Sequence, residues 1–306
     1  MYDLNEDTIT DAVLDRFAAT PDARLKLLVQ AMVRHLHAMV RETEPTFEEW
    51  RTAIDFLTRT GQMCSDVRQE FILLSDVLGV SMLVDAINHR QPDGATETTV
   101  LGPFHVADAP QPPHGADISA GLPGEKLLVE GTVVAASGTP ISDAVVEVWS
   151  ADQDGFYDVQ RTDLDGSALR ARFRTDRDGR FHFWTLMPAH YPIPADGPVG
   201  DLLGATGRHP YRPAHVHFMI SAAGHEQLVT HIFAEDSPYL DSDAVFGVKT
   251  SLIQPFEPKP AGTAPDGRVL DQPWRHLIRR FGLKAAGSAA SDLSDIRTTD
   301  YVMSDN

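Results

Sequence analysis

The sequence predicts an α+β fold, with an N-terminal helical domain followed by a mainly antiparallel β-sandwich, and two patterns predict it. Over about the first ninety residues, apolar side chains recur every three or four positions, as they do in amphipathic helices. From Lys126 onward they alternate with a period of two, in short segments separated by Gly, Pro and Asp turns. We place the helical domain at residues 1–95 and the sandwich at 96–284. Residues 285–306, rich in Ala, Ser, Gly and Asp, are predicted to form a flexible C-terminal tail.

Two helices are expected in the first half of the helical domain. The first spans Arg24–Arg41 and ends before Pro45, which cannot continue a helix. Thr46 and Glu49 then have the spacing of a capping box, so we expect a second helix to begin there and to run to Gly61.

A third helix is predicted from Ser65 to His89 as one continuous element. Its apolar residues, like those of the first helix, cover more than one side, which favours burial against a second subunit. The helical region ends at the turn sequence Gln91-Pro-Asp-Gly94.

The sandwich is predicted from short alternating segments. The strand candidates are 126–133, 146–150, 172–175, 180–185, 215–221 and 227–233. Asp178-Gly179 predicts a hairpin turn between two of them. The long segment Pro188–Pro213 is predicted to be irregular, and loops of that length in a compact domain are usually functional.

The charge balance excludes several classes of partner. Acidic residues number 44 against 26 basic ones, a formal net charge of −18. Such a surface repels phosphate backbones and anionic lipid headgroups, so we expect no nucleic-acid partner. No apolar run is long enough for a membrane span, so membrane insertion is not expected either.

Cys64 is the only cysteine. Internal disulfides, thiolate-rich zinc sites and iron–sulfur clusters are therefore excluded. The first residues contain neither a basic nor an apolar segment of a secretory signal. We accordingly expect a cytoplasmic location.

The sharpest local motif is His215-Val-His217. Residues two apart on a strand project from the same face, so both imidazoles can reach one ion. A ferrous site with two histidines and one carboxylate is one alternative, although no Asp or Glu lies in the motif. A zinc hydrolase that recruits His231 is another, and a binding β-sandwich with purely structural histidines is a third.

Two tyrosines favour a different metal. Tyr157 follows a predicted strand and its Asp-Gly turn, and Tyr191 begins the long segment. A phenolate is a hard, anionic oxygen donor that suits ferric iron, and the ion lowers the pKa of the tyrosine so that it binds deprotonated. Two phenolates and two neutral imidazoles leave a net charge of +1 on Fe(III), which attracts an acidic diol.

With these residues the chain resembles the intradiol ring-cleavage dioxygenases, specifically their catechol/hydroxyquinol branch. The resemblance covers about residues 10 to 282. The matching motifs are Leu-Gly-Pro-Phe-His-Val (101–106), Val-Glu-Val-Trp-Ser-Ala-Asp-Gln-Asp-Gly-Phe-Tyr (146–157), Tyr-Pro-Ile-Pro-Ala-Asp-Gly-Pro-Val-Gly (191–200) and Gly-Arg-His-Pro-Tyr-Arg-Pro-Ala-His-Val-His-Phe (207–218).

The resemblance implies one Fe(3+) per subunit, bound by Tyr157, Tyr191, His215 and His217. It also implies that the diol displaces Tyr191, which then acts as a base. Arg212 resembles the family arginine that stabilises negative charge on the substrate, an effect that can be a large catalytic term. The substrates would be an aromatic diol or triol and O2.

Two positions point to the substrate. Catechol-cleaving relatives usually have glutamine at the position of His231 and tyrosine at that of His105. The resemblance therefore favours hydroxyquinol (benzene-1,2,4-triol), cleaved to 3-hydroxy-cis,cis-muconate, the enol form of maleylacetate. The alternative is a catechol or chlorocatechol 1,2-dioxygenase.

The resemblance also implies the substrate pocket and the role of the helices. The residues around the ring would be Leu73, Asp76, Val100, Leu101, Gly102, Pro103, Phe104, His105 and Val245. Asp76 would hydrogen-bond the third hydroxyl. The helical domain would form a homodimer interface and enclose a tunnel that holds a phospholipid, and the sandwich would be the catalytic domain.

Overall fold

The computed structural model describes residues 3–65 and 68–287. These residues fall into two compact units that divide between Arg59 and Thr60. The predicted tail, 285–306, lies outside the described residues except at 285–287, where Ala285 forms a β-bridge with His225.

Of the elements that the structure describes, five helices precede the strands, as the sequence predicts, and one further helix lies among the strands. The helices are α1 (Ile9–Arg16), α2 (Ala23–Thr43), α3 (Phe47–Gln62), α4 (Glu70–Val77), α5 (Val80–Asn88) and α6 (Pro198–Ala205). The strands are β1 (Lys126–Ala135), β2 (Val145–Ser150), β3 (Arg170–Arg174), β4 (Arg180–Leu186), β5 (Tyr191–Pro192), β6 (Tyr211–Arg212), β7 (His215–Ser221), β8 (Leu228–Ala234), β9 (Ile253–Gln254), β10 (Glu257–Lys259), β11 (Gly262–Thr263), β12 (Val269–Leu270) and β13 (Trp274–Leu283). None of the described helices has the length and apolar character of a membrane span.

The first unit is built from α1, α2 and most of α3. Helix α2 is capped by Asp22, whose side chain accepts a hydrogen bond from the N–H of Leu25 at 2.7 Å. The capping box before α3 is confirmed, since the Thr46 hydroxyl accepts from the Glu49 N–H at 3.2 Å and the Glu49 carboxylate accepts from the Thr46 N–H at 2.8 Å.

Helix α2 presents an apolar stripe to solvent. Leu25, Leu28, Met32, Leu36 and Met39 follow one another at three- and four-residue spacing, and each is between 50 and 55% exposed. A contiguous exposed apolar surface of this kind is uncommon on a monomeric protein and marks an interaction site.

The prediction of one continuous third helix is wrong. The chain forms α4 and α5 instead, with Gly79 between them in the left-handed region at φ 73°. A residue with a side chain adopts that conformation only at a cost, so glycine allows the sharp change of direction. Both helices group with the strands in the second unit, where buried Glu70 accepts a hydrogen bond from the N–H of Val199 at 3.2 Å.

The predicted mainly antiparallel sandwich is confirmed. One sheet has the strand order β10-β13-β1-β4 and the other has β3-β2-β7-β8-β9. Their inner faces share one core, in which the ring of Phe218 lies 4.7 Å from that of Phe281 and 6.4 Å from that of Phe181, measured between centroids.

Two parts of the second unit differ from the sequence prediction. Strand β13 was not predicted, and it pairs with β1 in parallel over ten positions. The segment predicted as irregular contains β5, α6 and β6, and α6 begins with Pro198 in its first turn, a position that proline favours. Pro198 is visible in the sequence and could have indicated the start of a helix there.

The outer face of the second sheet carries the polar residues of interest. Trp149 on β2 pairs with His217 on β7, and His217 pairs with His231 on β8. Directly paired residues lie on the same face, so the register brings three rings side by side.

Candidate metal centre

His215 and His217 direct the same nitrogen atom to one point in the interior of the second unit. Their Nε2 atoms lie 3.2 Å apart and both residues are 1% exposed. The Nδ1 atom of His215 lies 2.7 Å from the carbonyl oxygen of Pro213. Because a carbonyl only accepts, this bond assigns the proton to Nδ1 and leaves the Nε2 lone pair of His215 free to bind a metal.

Two phenol oxygens reach the same point from different segments. The Tyr157 hydroxyl oxygen lies 2.8 Å from Nε2 of His217 and 3.2 Å from the hydroxyl oxygen of Tyr191. Close approach of the two segments requires Gly155, at φ 87°, because a Cβ there would lie 2.8 Å from Cβ of Tyr191. The turn before Tyr157 therefore has glycine for a packing reason as well as a conformational one.

Burial determines the protonation of these groups. It lowers the pKa of His215 to about 3 and holds the pKa values of His217 and His231 well below the ordinary value. All three imidazoles are therefore neutral near pH 7. Burial, followed by the neighbouring Tyr191, raises the pKa of Tyr157 well above that of a free tyrosine.

This donor set fits a hard, highly charged cation. Nitrogen atoms 3.2 Å apart have the separation expected of two imidazoles that each bind one ion at about 2.1 Å. Neutral histidines bind without releasing a proton, whereas Tyr157 would bind as a phenolate only if a cation offset the effect of its burial.

A three-histidine site is also geometrically possible. One nitrogen each of His215, His217 and His231 lie within 4.8 Å of one another. However, Arg212 can only donate, and its Nη2 lies 3.3 Å from Nδ1 of His231, so this contact assigns the proton of His231 to Nε2 and leaves that nitrogen without a lone pair for a metal. The zinc interpretation therefore has support from distances alone. The Tyr157 oxygen distinguishes the three-histidine zinc site from the site with two tyrosines and two histidines. It lies 2.8 Å from Nε2 of His217, the nitrogen that zinc would need, so a phenol oxygen belongs to the same group of donors.

Arg212 lies beside the imidazoles and is buried. Its Nη1 is 3.5 Å from Nε2 of His215, and its Nη2 is 3.3 Å from Nδ1 of His231. Burial lowers the pKa of Arg212, but Asp243 and the nearby tyrosines together more than offset this, so the guanidinium stays charged.

Several predicted pocket residues are close to these groups. A Cβ on Gly102 would lie 3.3 Å from Cε1 of His217, so the backbone of Gly102 covers that ring. Phe104 stacks on Tyr157, with 4.3 Å between ring centroids. Asp76 is buried and interacts electrostatically with Arg212.

Val245 is buried as well. His105 is separated from His217 by the ring of Trp149, which it contacts edge-on. Its Nε2 lies 2.9 Å from a Glu147 carboxylate oxygen. The roles of these residues stay predictions, as do those of Leu73, Val100, Leu101 and Pro103.

Sequence reasoning did not single out two residues of the centre. Trp149 stacks on His217, and the period-two pattern of β2 together with its pairing to β7 is the signal that could have revealed it. Asp243 forms an ion pair with Arg212. No local pattern marks Asp243, because its partner lies 31 positions earlier.

Comparison with known families covers both halves of the chain. Residues 100–269 match the family described as dioxygenase. Residues 22–96 match the family described as catechol dioxygenase N terminus.

Individual relatives share about half of their residues with the chain. The 6-chlorohydroxyquinol 1,2-dioxygenase of Cupriavidus pinatubonensis is 55% identical over 86% of this chain and 95% of its own length. The hydroxyquinol 1,2-dioxygenase of a Rhizobium species is 54% identical over 82% of this chain and 86% of its own length. A solved structure of hydroxyquinol 1,2-dioxygenase from Pseudomonas putida has a TM-score of 0.87 and 49% identity, covering 92% of this chain and 99% of that one.

Proposed function

Because the chain belongs to the intradiol ring-cleavage dioxygenase family, we propose that it cleaves hydroxyquinol. The ring would open between the adjacent hydroxyls, and both atoms of O2 would enter the product, 3-hydroxy-cis,cis-muconate or its tautomer maleylacetate. The observation that carries this proposal is the convergence of the Tyr157 and Tyr191 oxygens on the His215–His217 pair. The names of the relatives support the choice of substrate.

The family uses non-haem iron, and the three buried histidines are compatible with a metal. We propose that Tyr157, Tyr191, His215 and His217 bind one Fe(3+) per subunit. When bound, ferric iron would hold the two adjacent hydroxyl oxygens of the substrate and make the ring reactive towards O2.

The two tyrosines would have different tasks. Tyr157 is fully buried and packed beneath Phe104, so it would stay in place. Tyr191 is 5% exposed and belongs to the two-residue strand β5. Its phenolate oxygen would leave when substrate arrives and accept a substrate hydroxyl proton.

Arg212 would act on the substrate itself, together with His231, whose Nδ1 lies 3.3 Å from Nη2 of Arg212. The Nη1 of Arg212 lies 3.5 Å from the His215 nitrogen, so its positive charge faces the site where the ring would gain electron density. Asp76 would face the third hydroxyl. Burial raises its pKa, so its carboxyl takes up a proton more readily than a solvated aspartate and gains the ability to donate a hydrogen bond.

Visible absorption and oxygen uptake test the proposal. Protein reconstituted with Fe(III) should be red-brown from phenolate-to-iron charge transfer, and Tyr157→Phe and Tyr191→Phe should each bleach or shift the band. Among benzene-1,2,4-triol, catechol, 4-chlorocatechol and protocatechuate, the triol should give the highest kcat/KM.

The outcomes separate the alternatives. A preference for catechol or 4-chlorocatechol would overturn the substrate but leave the iron chemistry intact. A colourless protein that binds zinc through the three histidines would instead favour a hydrolase. Full colour in both tyrosine variants would refute the ligand assignment.

We also propose that the chain is a homodimer through its N-terminal helices. The exposed apolar stripe of α2 supports this, because water contact with five large apolar side chains is unfavourable. The helices of the two subunits would enclose an apolar tunnel, and a phospholipid would occupy it. Light scattering should give twice the chain mass, and mass spectrometry of a solvent extract should detect phospholipid.

The proposed location is the cytoplasm, based on the single cysteine. Fractionation of the source cells, with activity recovered outside the cytoplasmic fraction, would contradict it.

A further inference from the structure

Asp243 binds one whole edge of the Arg212 guanidinium. Its Oδ1 accepts from Nε at 3.1 Å and its Oδ2 accepts from Nη2 at 3.3 Å. Both side chains are at most 4% exposed. A carboxylate that occupies the Nε–Nη2 edge leaves Nη1 as the free end of the fork. That end is the one that lies 3.5 Å from Nε2 of His215.

The same carboxylate also holds a turn of the pocket wall. Its Oδ2 accepts from the N–H of Gly247 at 2.9 Å, and its Oδ1 accepts more weakly from the N–H of Val245 at 3.4 Å. Val245 is one of the predicted pocket residues. Asp243 therefore ties the arginine and this part of the wall to a single rigid group.

A glycine leaves room for the ion pair. A Cβ on Gly247 would lie 2.9 Å from Nη2 of Arg212 and 3.2 Å from Oδ2 of Asp243. Any side chain at position 247 would therefore press on both groups. The orientation of the guanidinium is set by Asp243 along the Nε–Nη2 edge, and Nη2 also donates to Nδ1 of His231 at 3.3 Å.

We propose that Asp243 is a positioning residue for the ring-opening reaction: it fixes the Arg212 guanidinium so that Nη1 faces the substrate, and its negative charge offsets the repulsion between Arg212 and a bound cation. This inference rests on the proposed role of Arg212 in stabilising charge on the substrate. Removing the charge of Asp243 leaves a buried guanidinium without its anionic partner, and such a group reorients towards other acceptors or water.

Asp243→Asn is the principal test, because the amide keeps one oxygen, enough for the Gly247 N–H, but loses the negative charge and the second acceptor. We expect kcat with benzene-1,2,4-triol, normalised to bound iron, to fall about 10- to 100-fold, less than the roughly 100- to 1000-fold typical for removal of a charge-stabilising donor, because Arg212 itself remains. The Kd for substrate, measured by anaerobic spectroscopic titration, should change less than about threefold, since the metal ligands are untouched.

A double-mutant cycle with Arg212→Met distinguishes positioning from a general structural effect. If Asp243 acts through Arg212, Asp243→Asn should have little further effect on kcat in the Arg212→Met background. The same cycle on the melting temperature of iron-free protein should show that the double variant recovers part of the loss caused by Asp243→Asn. Additive effects in both cycles would overturn the proposal.

Two further variants separate an effect on the Arg212–Asp243 pair from a general loss of stability. Gly247→Ala changes no charge, but it presses on the Arg212–Asp243 pair and should lower kcat as well. Asp85→Asn breaks a partly buried ion pair with Lys249 outside the metal centre and should lower stability while leaving kcat within about twofold.

The result can also be separated from failure of the proposed function. If the wild-type protein cleaves no diol or triol, the proposed function fails. If it cleaves the triol and Asp243→Asn retains wild-type kcat, the function stands and the positioning role is wrong.

Discussion

The indole ring of Trp149 lies almost parallel to the imidazole ring of His217, with 4.6 Å between centroids and 15° between planes. The two residues are direct partners across β2 and β7, so the sheet register sets the stack. Within the described residues, Nδ1 of His217 has no hydrogen-bond partner. Packing against the indole therefore fixes the orientation of the His217 ring, as the hydrogen bond to Pro213 fixes that of His215.

Trp149→Leu should weaken iron binding about 10-fold or more, because a ligand that loses its orienting neighbour binds metal less tightly. Competition with a chelator at fixed pH measures the change. Trp184→Leu is the control, since Trp184 is equally buried but packs against Trp274 in the other sheet. Equal iron retention in the two variants would contradict the role of the stack.

Gly102→Ala should lower activity at least about 10-fold. Alanine is strained at φ 78°, and its Cβ would lie 3.3 Å from Cε1 of His217. Gly121→Ala provides a matched control, because Gly121 has the same φ of 78° but a Cβ there meets nothing within 4 Å. Similar losses of kcat in both variants would attribute the effect to backbone strain alone.

The iron-free protein should lose stability as the pH falls from about 6.5 towards 4.5. Unfolded histidine takes up a proton near pH 6.5, whereas the pKa of folded His215 is lowered to about 3. The unfolded state therefore binds more protons than the folded state in this window. As the pH is lowered, the free energy of unfolding decreases by about 1.4 kcal/mol per pH unit for each such histidine. Asp76, with its raised pKa, acts in the opposite direction at the acidic end.

Urea denaturation at several pH values measures that slope. His231→Gln should make it shallower, because burial also holds the pKa of His231 well below its usual value. A flat profile between pH 6.5 and 4.5 would mean that the histidines titrate normally in the folded protein.

Arg279→Leu should stabilise the protein by about 1 kcal/mol, because a partly buried charge without a counter-ion is unfavourable. Arg279 lies on the same face of β13 as the core residues Leu277 and Phe281. Its buried Nε has no partner in the described part of the chain, and burial alone lowers its pKa. Thermal unfolding measures the effect, with exposed Arg280→Leu as the control. A lower melting temperature in Arg279→Leu would mean that the guanidinium has a partner.

Local patterns predicted most of the sandwich and part of the helical region. Alternation identified β7 and β8 within one residue of their observed starts, and the Thr46–Glu49 spacing identified the cap of α3. Strand β13 was not predicted from the sequence because Arg279 and Arg280 interrupt the alternation of apolar residues. Its partner β1 also lies about 150 positions earlier. The break between helices at Gly79 was not predicted because the apolar pattern continues on both sides of it.

The metal centre likewise combines features that local sequence patterns predict with features that depend on contacts distant in sequence. The sequence by itself determined which donors are available, because His-x-His on a strand and two motif tyrosines define the ligand types wherever the chain folds. Only the tertiary structure decided that Trp149 orients His217 and that Asp243 orients Arg212. Both depend on pairs that are distant in sequence, and such contacts arise from strand register and burial rather than from any local propensity.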